Sequence, residues 1–127
     1  MSNEFLDSLE NLDALNVSDF IKFSQRGIEK ENLRSSNRSI SLRAHPKAYG
    51  SSLTNSRITT DFSEALIELV TGPNKDLNNC LKELEDIVYF CLKNTDEDFW
   101  PASIPMSIED EATIPIADYG GTNSGKL

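Results

Sequence analysis

Apolar residues recur along this chain at two different spacings, and the spacings predict where helices and strands lie. In residues 4–25 the spacing is helical with an interruption near Asn16, which predicts two N-terminal helices, the second capped by Ser18. Between residues 75 and 94 a continuous apolar stripe predicts one long helix, with Asn74 as its cap. The stripe comprises Leu77, Cys80, Leu81, Leu84, Ile87, Val88 and Cys91.

The alternation of apolar and polar residues that is typical of strands is less regular, and it occurs in the middle of the chain. Residues 27–34 alternate loosely between apolar and charged side chains, as a half-buried strand does. The turn-like residues 35–39 predict that residues 39–43 pair back as an antiparallel hairpin. Residues 61–70 are ambiguous, because their apolar positions fit a helical face while alternate residues from 66 to 70 also fit one face of a strand. The local pattern slightly favours a helix there.

The last thirty residues predict an irregular C-terminal tail. Three prolines preclude a long helix, namely Pro101, Pro105 and Pro115. Residues 120–126 match the start of a phosphate-binding loop, but Leu127 replaces the Ser or Thr whose hydroxyl binds Mg²⁺ in such loops. A working loop also leads into a helix, which we do not expect here, so we interpret the segment as irregular.

The length and the net charge of the chain limit the number of domains and the kinds of partner it can bind. A chain of 127 residues is enough for one domain, and 12 basic against 21 acidic side chains give a net charge of −9. Such a charge disfavours binding to nucleic acid or to anionic membranes, because proteins bind both mainly through Lys and Arg side chains. The acidic residues 1–7 do not resemble a secretory signal, and no apolar run approaches the roughly 20 residues that span a bilayer. We therefore expect a cytoplasmic protein.

The two cysteines and the single histidine do not predict a disulfide or a zinc site. Cys80 and Cys91 fall eleven residues apart in the long predicted helix, about 16 Å at 1.5 Å per residue, which is too far for a disulfide. We expect both to be reduced and packed. His45 precedes Pro46 and is interpreted as a turn residue rather than a metal ligand.

Four carboxylates are the main candidates for chemistry. Glu29 and Glu31 leave the same face of the predicted strand, with Cα atoms roughly 6.6 Å apart. Asp61 and Glu68 lie in the second, apolar block. Acids among apolar residues are costly unless a cation compensates them, and Mg²⁺ prefers oxygen ligands of this kind. The pattern is consistent with one carboxylate each for neighbouring Mg²⁺ ions.

A plain structural alternative stays open. Glu29 and Glu31 also suit a solvated strand face with Lys30 and Arg34 nearby, and without the second block this alternative is favoured. If residues 61–70 are helical, Glu68 would join Glu64 on an ordinary charged helix face.

Five blocks of the sequence closely resemble the N-terminal part of proteobacterial glutamate-cysteine ligases, also called gamma-glutamylcysteine synthetases. They come in that family's order, with nearly its spacing, and cover the chain from about residue 24. The blocks are residues 27–34 (GIEKENLR), 45–54 (HPKAYGSSLT), 58–71 (ITTDFSEALIELVT), 99–105 (FWPASIP) and 118–127 (DYGGTNSGKL).

The resemblance implies an ATP-dependent ligase. In the family, Mg²⁺-ATP phosphorylates the γ-carboxylate of L-glutamate, and the amine of L-cysteine then displaces phosphate from this γ-glutamyl phosphate. The product is γ-glutamylcysteine, in the first step of glutathione biosynthesis. Phosphoryl transfer between anions needs metal charge to offset their repulsion, which agrees with a cluster of acids.

The resemblance also assigns residues and fold. It implies that Glu29, Glu31, Asp61 and Glu68 hold the metal and that Phe62 lies near the pocket for the cysteine side chain. It implies an α+β protein, the N-terminal part of a glutamine-synthetase-like fold whose curved antiparallel sheet binds the substrates. On that ground we predict a strand at residues 64–70, against the local helical pattern.

Family members are several times longer than this chain. We therefore expect residues 1–127 to form a single incomplete domain, without the remaining metal ligands and the basic residues that hold glutamate and ATP, and to be inactive alone. The alternative is a non-catalytic N-terminal remnant with at most weak Mg²⁺ binding or association with the missing C-terminal part of the ligase. A sheet without its partner strands would also expose edges.

Overall fold

An antiparallel sheet with a long helix on one face forms the centre of the protein in the computed structural model, which describes residues 6–8, 10–11, 17–104 and 106–118. The helices are α1 (Val17–Phe23) and α2 (Leu77–Lys93), with 3₁₀ turns at Lys47–Tyr49 and Glu111–Thr113. The strands are β1 (Glu29–Ser36), β2 (Ser39–Ile40), β3 (Ile58–Thr60), β4 (Leu66–Val70) and β5 (Asp98–Phe99). This mixture of helix and antiparallel sheet confirms the predicted α+β class.

The strand order is β2-β1-β4-β3, and β5 pairs with β1 beyond the end of β4. In β4 the buried residues Ile67 and Leu69 alternate with half-buried ones. The buried side faces α2, where a core forms from Tyr49, Ile58, Ile67, Leu69, Leu84 and Cys91. The strand predicted at 64–70 is confirmed over residues 66–70, whereas residues 64 and 65 belong to the turn before it. The helical alternative is wrong, because pairing with β1 and β3 decides the conformation of this segment.

The predicted hairpin is also confirmed. Ser36 pairs with Ser39, and the two residues between them, Asn37 and Arg38, both have positive φ, 51° and 66°. Two positive values are typical of the type I′ turn that suits the twist of paired strands. The first strand begins and ends two residues later than the predicted 27–34, and the second is shorter than the predicted 39–43.

Helix α2 confirms the long helix predicted over 75–94, but its cap differs. The side chain of Asp76 accepts a hydrogen bond from the backbone N–H of Asn78 at 2.8 Å, so Asp76 is the cap and the prediction of Asn74 was wrong. Asn74 instead accepts from the N–H of Asp76, which shapes the turn before the helix. Cys80 and Cys91 are free and buried, as predicted.

The N-terminal helices are described only in part. Residues 6–8 and 10–11 are helical, whereas residues 1–5, 9 and 12–16 lie outside the described part. Helix α1 confirms a second helix, but Ser18 is not its cap, because Val17 before it is already helical. None of the residues of α1 is buried.

Two short strands, β3 and β5, were not predicted, since two or three residues are too few to show an alternation. No α-helix occurs in the described residues beyond 98, in agreement with the prediction of an irregular tail. Residues 120–126, whose sequence matches the start of a phosphate-binding loop, lie outside the described residues. Within the described chain, no helix has the length and apolar character needed to cross a membrane.

Candidate functional site

The four predicted acids lie on the side of the sheet opposite α2. In β4, Glu68 alternates with the core residues Ile67 and Leu69 and therefore leaves the other side. Its direct partner across the strands is Glu31, and Glu29 lies two residues along β1 on the same side. We call the surface formed by Glu29, Glu31, Asp61 and Glu68 the acidic face.

Asp61 reaches this surface from the end of β3. Thr59 pairs with Glu68, so it shares the side of the acids, and Asp61 follows two residues later. The backbone N–H of Asp61 donates to the carbonyl of Leu66, across the turn that connects β3 and β4. The structure thus brings together four carboxylates from three strands or their ends.

The acids interact electrostatically. Partial burial raises the pKa of Glu68, and the negative charges of Glu29, Asp61 and Glu31 raise it further. This like-charge repulsion is what a bound cation would relieve, because a positive ion among carboxylates favours their charged forms.

The acidic face fits a hard divalent cation by donor type. Its side chains offer only carboxylate oxygens, the ligands preferred by Mg²⁺ and Mn²⁺. Within the described residues, however, no three Asp, Glu, His or Cys side chains come close enough to hold a metal ion as they stand. The described residues therefore present four carboxylates on a shared surface and not a closed coordination shell.

An apolar pocket of about 500 Å³ lies beside the acidic face. Phe62, the residue predicted for the cysteine pocket, lines it and is 70% exposed. Leu33 also lines it and lies two residues after Glu31 on the same side of β1, so the pocket adjoins the acids. Further walls come from Ile40, Ser63, Ile108, Glu111, Ala112, Ile114 and Ile116.

Arg34 does not belong to a solvated strand face, and that interpretation of it was wrong. It is fully buried and forms an ion pair with Glu97, which is itself 4% exposed. Glu97 also accepts a hydrogen bond from the hydroxyl of Ser41, and the Arg34 guanidinium donates to the carbonyl of Arg43 at 2.6 Å. The strand alternation could have found this residue, since Arg34 shares the core side of β1 with Asn32.

Glu64 is the second residue that the sequence did not reveal. It is 4% exposed and lies in the turn between β3 and β4, not on a charged helix face. Its carboxylate accepts hydrogen bonds from the backbone N–H groups of His45 and Asp118. The backbone N–H of Glu64 donates to the carbonyl of Pro115 at 2.9 Å, and its carbonyl accepts from the guanidinium of Arg34 at 2.6 Å. No local sequence pattern indicates such a residue, because all its partners are distant in sequence.

The ring of His45 packs against this network. It meets the ring of Tyr49 edge-on, with centroids 5.6 Å apart. Burial lowers the pKa of His45, the positive charge of Arg34 lowers it further, and Glu64 opposes both. The lowered pKa favours the neutral form of the ring, and the residue is half-buried.

Comparison with known proteins gives one consistent family. The sequence model described as "Glutamate-cysteine ligase" matches residues 9–127. The chain is similar to the glutamate-cysteine ligase of Aliivibrio fischeri, with 40% identity over 126 residues that cover 98% of this chain and 24% of that protein. The enzyme of the same name from Bordetella bronchiseptica is 45% identical over 114 residues, which cover 87% of this chain and 21% of that protein.

Solved structures agree. A glutamate-cysteine ligase from Francisella tularensis, determined in complex with AMP, superposes with a TM-score of 0.76 at 39% identity. That match covers 80% of this chain and 21% of the solved one. A bifunctional glutathione synthetase from Pasteurella multocida gives a TM-score of 0.74 at 28% identity, over 80% of this chain and 14% of the other. The chain thus spans less than a quarter of the length of each of these four proteins.

Proposed function

The chain belongs to the glutamate-cysteine ligase family, and on that premise we propose that it supplies the metal-binding part of a ligase site. The reaction is the ATP-dependent joining of the γ-carboxylate of L-glutamate to the amine of L-cysteine through γ-glutamyl phosphate, the first step of glutathione biosynthesis. We propose a cytoplasmic location for it. The observation that carries the proposal is the acidic face, where four carboxylates from separate segments meet on the side of the sheet left open by α2.

The acidic face suits the chemistry of this reaction. A carboxylate forms an amide only after it gains a good leaving group, and moving a phosphoryl group between two anions requires positive charge. Glu29, Glu31, Asp61 and Glu68 would hold Mg²⁺, which would supply that charge to the phosphates of ATP. The four acids would also keep the ion on the open side of the sheet.

Phe62 would contact the side chain of L-cysteine. The neighbouring pocket is largely apolar and adjoins the acids through Leu33, which suits a small thiol next to a charged reaction centre. ATP as the co-substrate is supported by the related structure from Francisella tularensis, which was determined with AMP.

Ligation by the 127 residues alone is not expected. Three anionic groups have to be held together, which calls for basic side chains near the acids. Arg34 is committed to its ion pair with Glu97, and Lys30 leaves β1 on the side away from the acids. We propose that the additional sequence found in the longer relatives provides the basic side chains and the remaining ligands.

A metal-linked stability measurement tests the acidic face. Thermal unfolding of the chain is followed with MgCl₂ and with NaCl at equal ionic strength, for the parent, for Glu31→Gln and for the control Glu85→Gln on the exposed side of α2. We expect Mg²⁺ to stabilise the parent and the control and to lose most of this effect in Glu31→Gln, because a ligand that binds only the folded state stabilises it. An equal response in all three proteins would contradict the proposal.

Activity is measured alongside. The chain alone is expected to show no ATP hydrolysis that depends on both glutamate and cysteine. Such activity would overturn the proposal that further sequence is required. The metal-binding role of the four acids would still be judged by the unfolding measurement with MgCl₂.

A further inference from the structure

The turn between β3 and β4, residues 61–65, contains two candidate site residues with different proposed roles. Asp61 belongs to the acidic face, and Phe62 lines the adjoining apolar pocket. Both side chains are mainly exposed, so their own packing does not fix the turn that presents them, although Ala65 at the end of the turn is buried. The turn must be held by other contacts.

Glu64 supplies these contacts. Its N–H, its carbonyl and both of its carboxylate oxygens all bond to groups outside the turn. Two of the bonds reach the segment 115–118, one reaches His45 and the carbonyl receives the guanidinium of Arg34. A side chain that is 4% exposed and fully bonded has little freedom, so the turn that contains it is restrained as well.

Further backbone contacts place one wall of the pocket against the turn. The N–H of Ala117 donates to the carbonyl of Phe62 at 3.1 Å, and Ser63 forms an isolated bridge with Ile116. Ile116 lines the pocket with Phe62. The carboxylate of Glu64 adds a further contact to the same segment, because it accepts a hydrogen bond from the N–H of Asp118, the residue after Ala117.

We propose that Glu64 is a positioning residue that sets Asp61 on the acidic face and closes the pocket around Phe62 by tying residues 115–118 to the turn. The proposal rests on the function given above for the acidic face and the pocket. It assigns Glu64 no contact with substrate or metal, since its carboxylate is occupied by two backbone donors. Loss of either donor would loosen Asp61 and Phe62 together.

The first test uses Mn²⁺ as the probe, with its binding to the full 127-residue chain followed by electron paramagnetic resonance. Glu64→Gln retains the shape but places an amide NH₂ against one of the two N–H donors, so one hydrogen bond is lost. We expect roughly a three- to tenfold weaker Mn²⁺ affinity, the size of one lost buried hydrogen bond. Glu85→Gln removes the same charge from an exposed helix position and should leave the affinity unchanged.

A second control separates positioning from general destabilisation. Tyr49→Phe removes the buried hydrogen bond from the tyrosine hydroxyl to the carbonyl of Cys91, 3.0 Å long and on the core side of the sheet. It should lower the melting temperature while leaving Mn²⁺ affinity as in the parent. If Tyr49→Phe weakens Mn²⁺ as much as Glu64→Gln at equal loss of stability, the positioning role is overturned. An unchanged affinity in Glu64→Gln overturns it as well.

A spectroscopic test works even if the parent chain binds no Mn²⁺, a result that would count against the acidic face and not against Glu64. Asp118→Pro deletes the N–H that Glu64 binds, whereas Asp118→Asn keeps it together with the shape of the side chain. We expect the NMR signals of the Phe62 ring and the Asp61 carboxylate to shift in Asp118→Pro and in Glu64→Gln, and to move far less in Asp118→Asn. If the two sets of signals do not move in Asp118→Pro, or move equally in Asp118→Asn, the proposal fails. This pair also serves if Glu64→Gln does not fold.

Discussion

Glu31 and Glu68 lie directly opposite each other on adjacent antiparallel strands, at the centre of the sheet and on its open side. Side chains in such a pair are separated by only about 5 Å at Cβ, and like charges there destabilise a sheet. Glu29 and Asp61 add to the repulsion, which is evident in the raised pKa of Glu68. This repulsion opposes folding, and a cation bound among the four carboxylates would relieve it.

Removing the charge of Glu68 should therefore stabilise the metal-free protein. We expect Glu68→Gln to raise the free energy of unfolding by about 0.5 kcal/mol at neutral pH, since it relieves one cross-strand repulsion and keeps the shape of the side chain. Urea unfolding in the presence of a chelator measures this. Glu85→Gln, on the exposed side of α2, is the matched control and should change little. A destabilised Glu68→Gln would show that the carboxylate makes favourable contacts in the metal-free state.

The same pair predicts a pH dependence with a definite sign. Because the folded-state pKa of Glu68 is raised above its usual 4.5, the unfolded chain releases this proton at lower pH than the folded one. The contribution of Glu68 to stability is therefore fully present below pH 4.5 and is lost as the pH rises through the folded-state pKa. We expect the stability difference between Glu68→Gln and the parent to grow with rising pH across this range. Asp96 does not interfere, since its hydrogen bond to Arg43 lowers its pKa below the usual 3.8.

A difference that shrinks with rising pH would contradict this sign. The measurement is urea unfolding of both proteins at several pH values, with a chelator to remove divalent ions. Glu85→Gln, which removes one charge from the exposed side of α2, is compared with the parent in the same way as the control.

The buried ion pair between Arg34 and Glu97 should matter far more than the exposed one between Arg43 and Asp96. Arg34→Met leaves the buried carboxylate of Glu97 without its close basic partner and with only the Arg43 guanidinium 4.0 Å away, which costs about 3–5 kcal/mol. In a chain of this size that is a large share of the total stability, so we expect loss of cooperative unfolding or a much lower denaturation midpoint.

Arg43→Met is the control for the same chemical change at the surface. Its side chain is 56% exposed and lies no nearer than 4.0 Å to the carboxylate of Glu97, and the carbonyl by which Arg43 bonds Arg34 is kept. We expect little change in stability, as for most exposed ion pairs. Comparable losses in the two variants would refute the structural role given to the buried pair.

The β1–β2 turn offers a stabilising substitution. Arg38 has a φ of 66°, a left-handed conformation that costs an ordinary side chain about 1 kcal/mol and costs glycine nothing comparable. We expect Arg38→Gly to stabilise the protein by up to about that amount, measured by thermal unfolding. Asn37→Gly should gain less, because asparagine tolerates a positive φ. A larger gain at Asn37 than at Arg38 would contradict the type I′ assignment.

The sequence was sufficient for the elements that depend on neighbours along the chain. The apolar stripe of α2 and the turn residues of the β1–β2 hairpin each act within a few residues, and both predictions are confirmed. Residues 66–70 show where local information ends. Their spacing fits a helix or a strand, and the family resemblance favoured the strand that the pairing with β1 and β3 forms.

The sequence by itself also selected Glu29, Glu31, Asp61 and Glu68 as one group, because their spacing and their resemblance to a known family are properties of the chain. Only the tertiary structure decided what surrounds them. Burial of Arg34 with Glu97, and the bonds from Glu64 to His45 and to residues 115–118, join segments between 19 and 63 positions apart. Such contacts form when the sheet and α2 assemble, since burial in the core depends on which distant segments meet and leaves no periodic trace in the sequence.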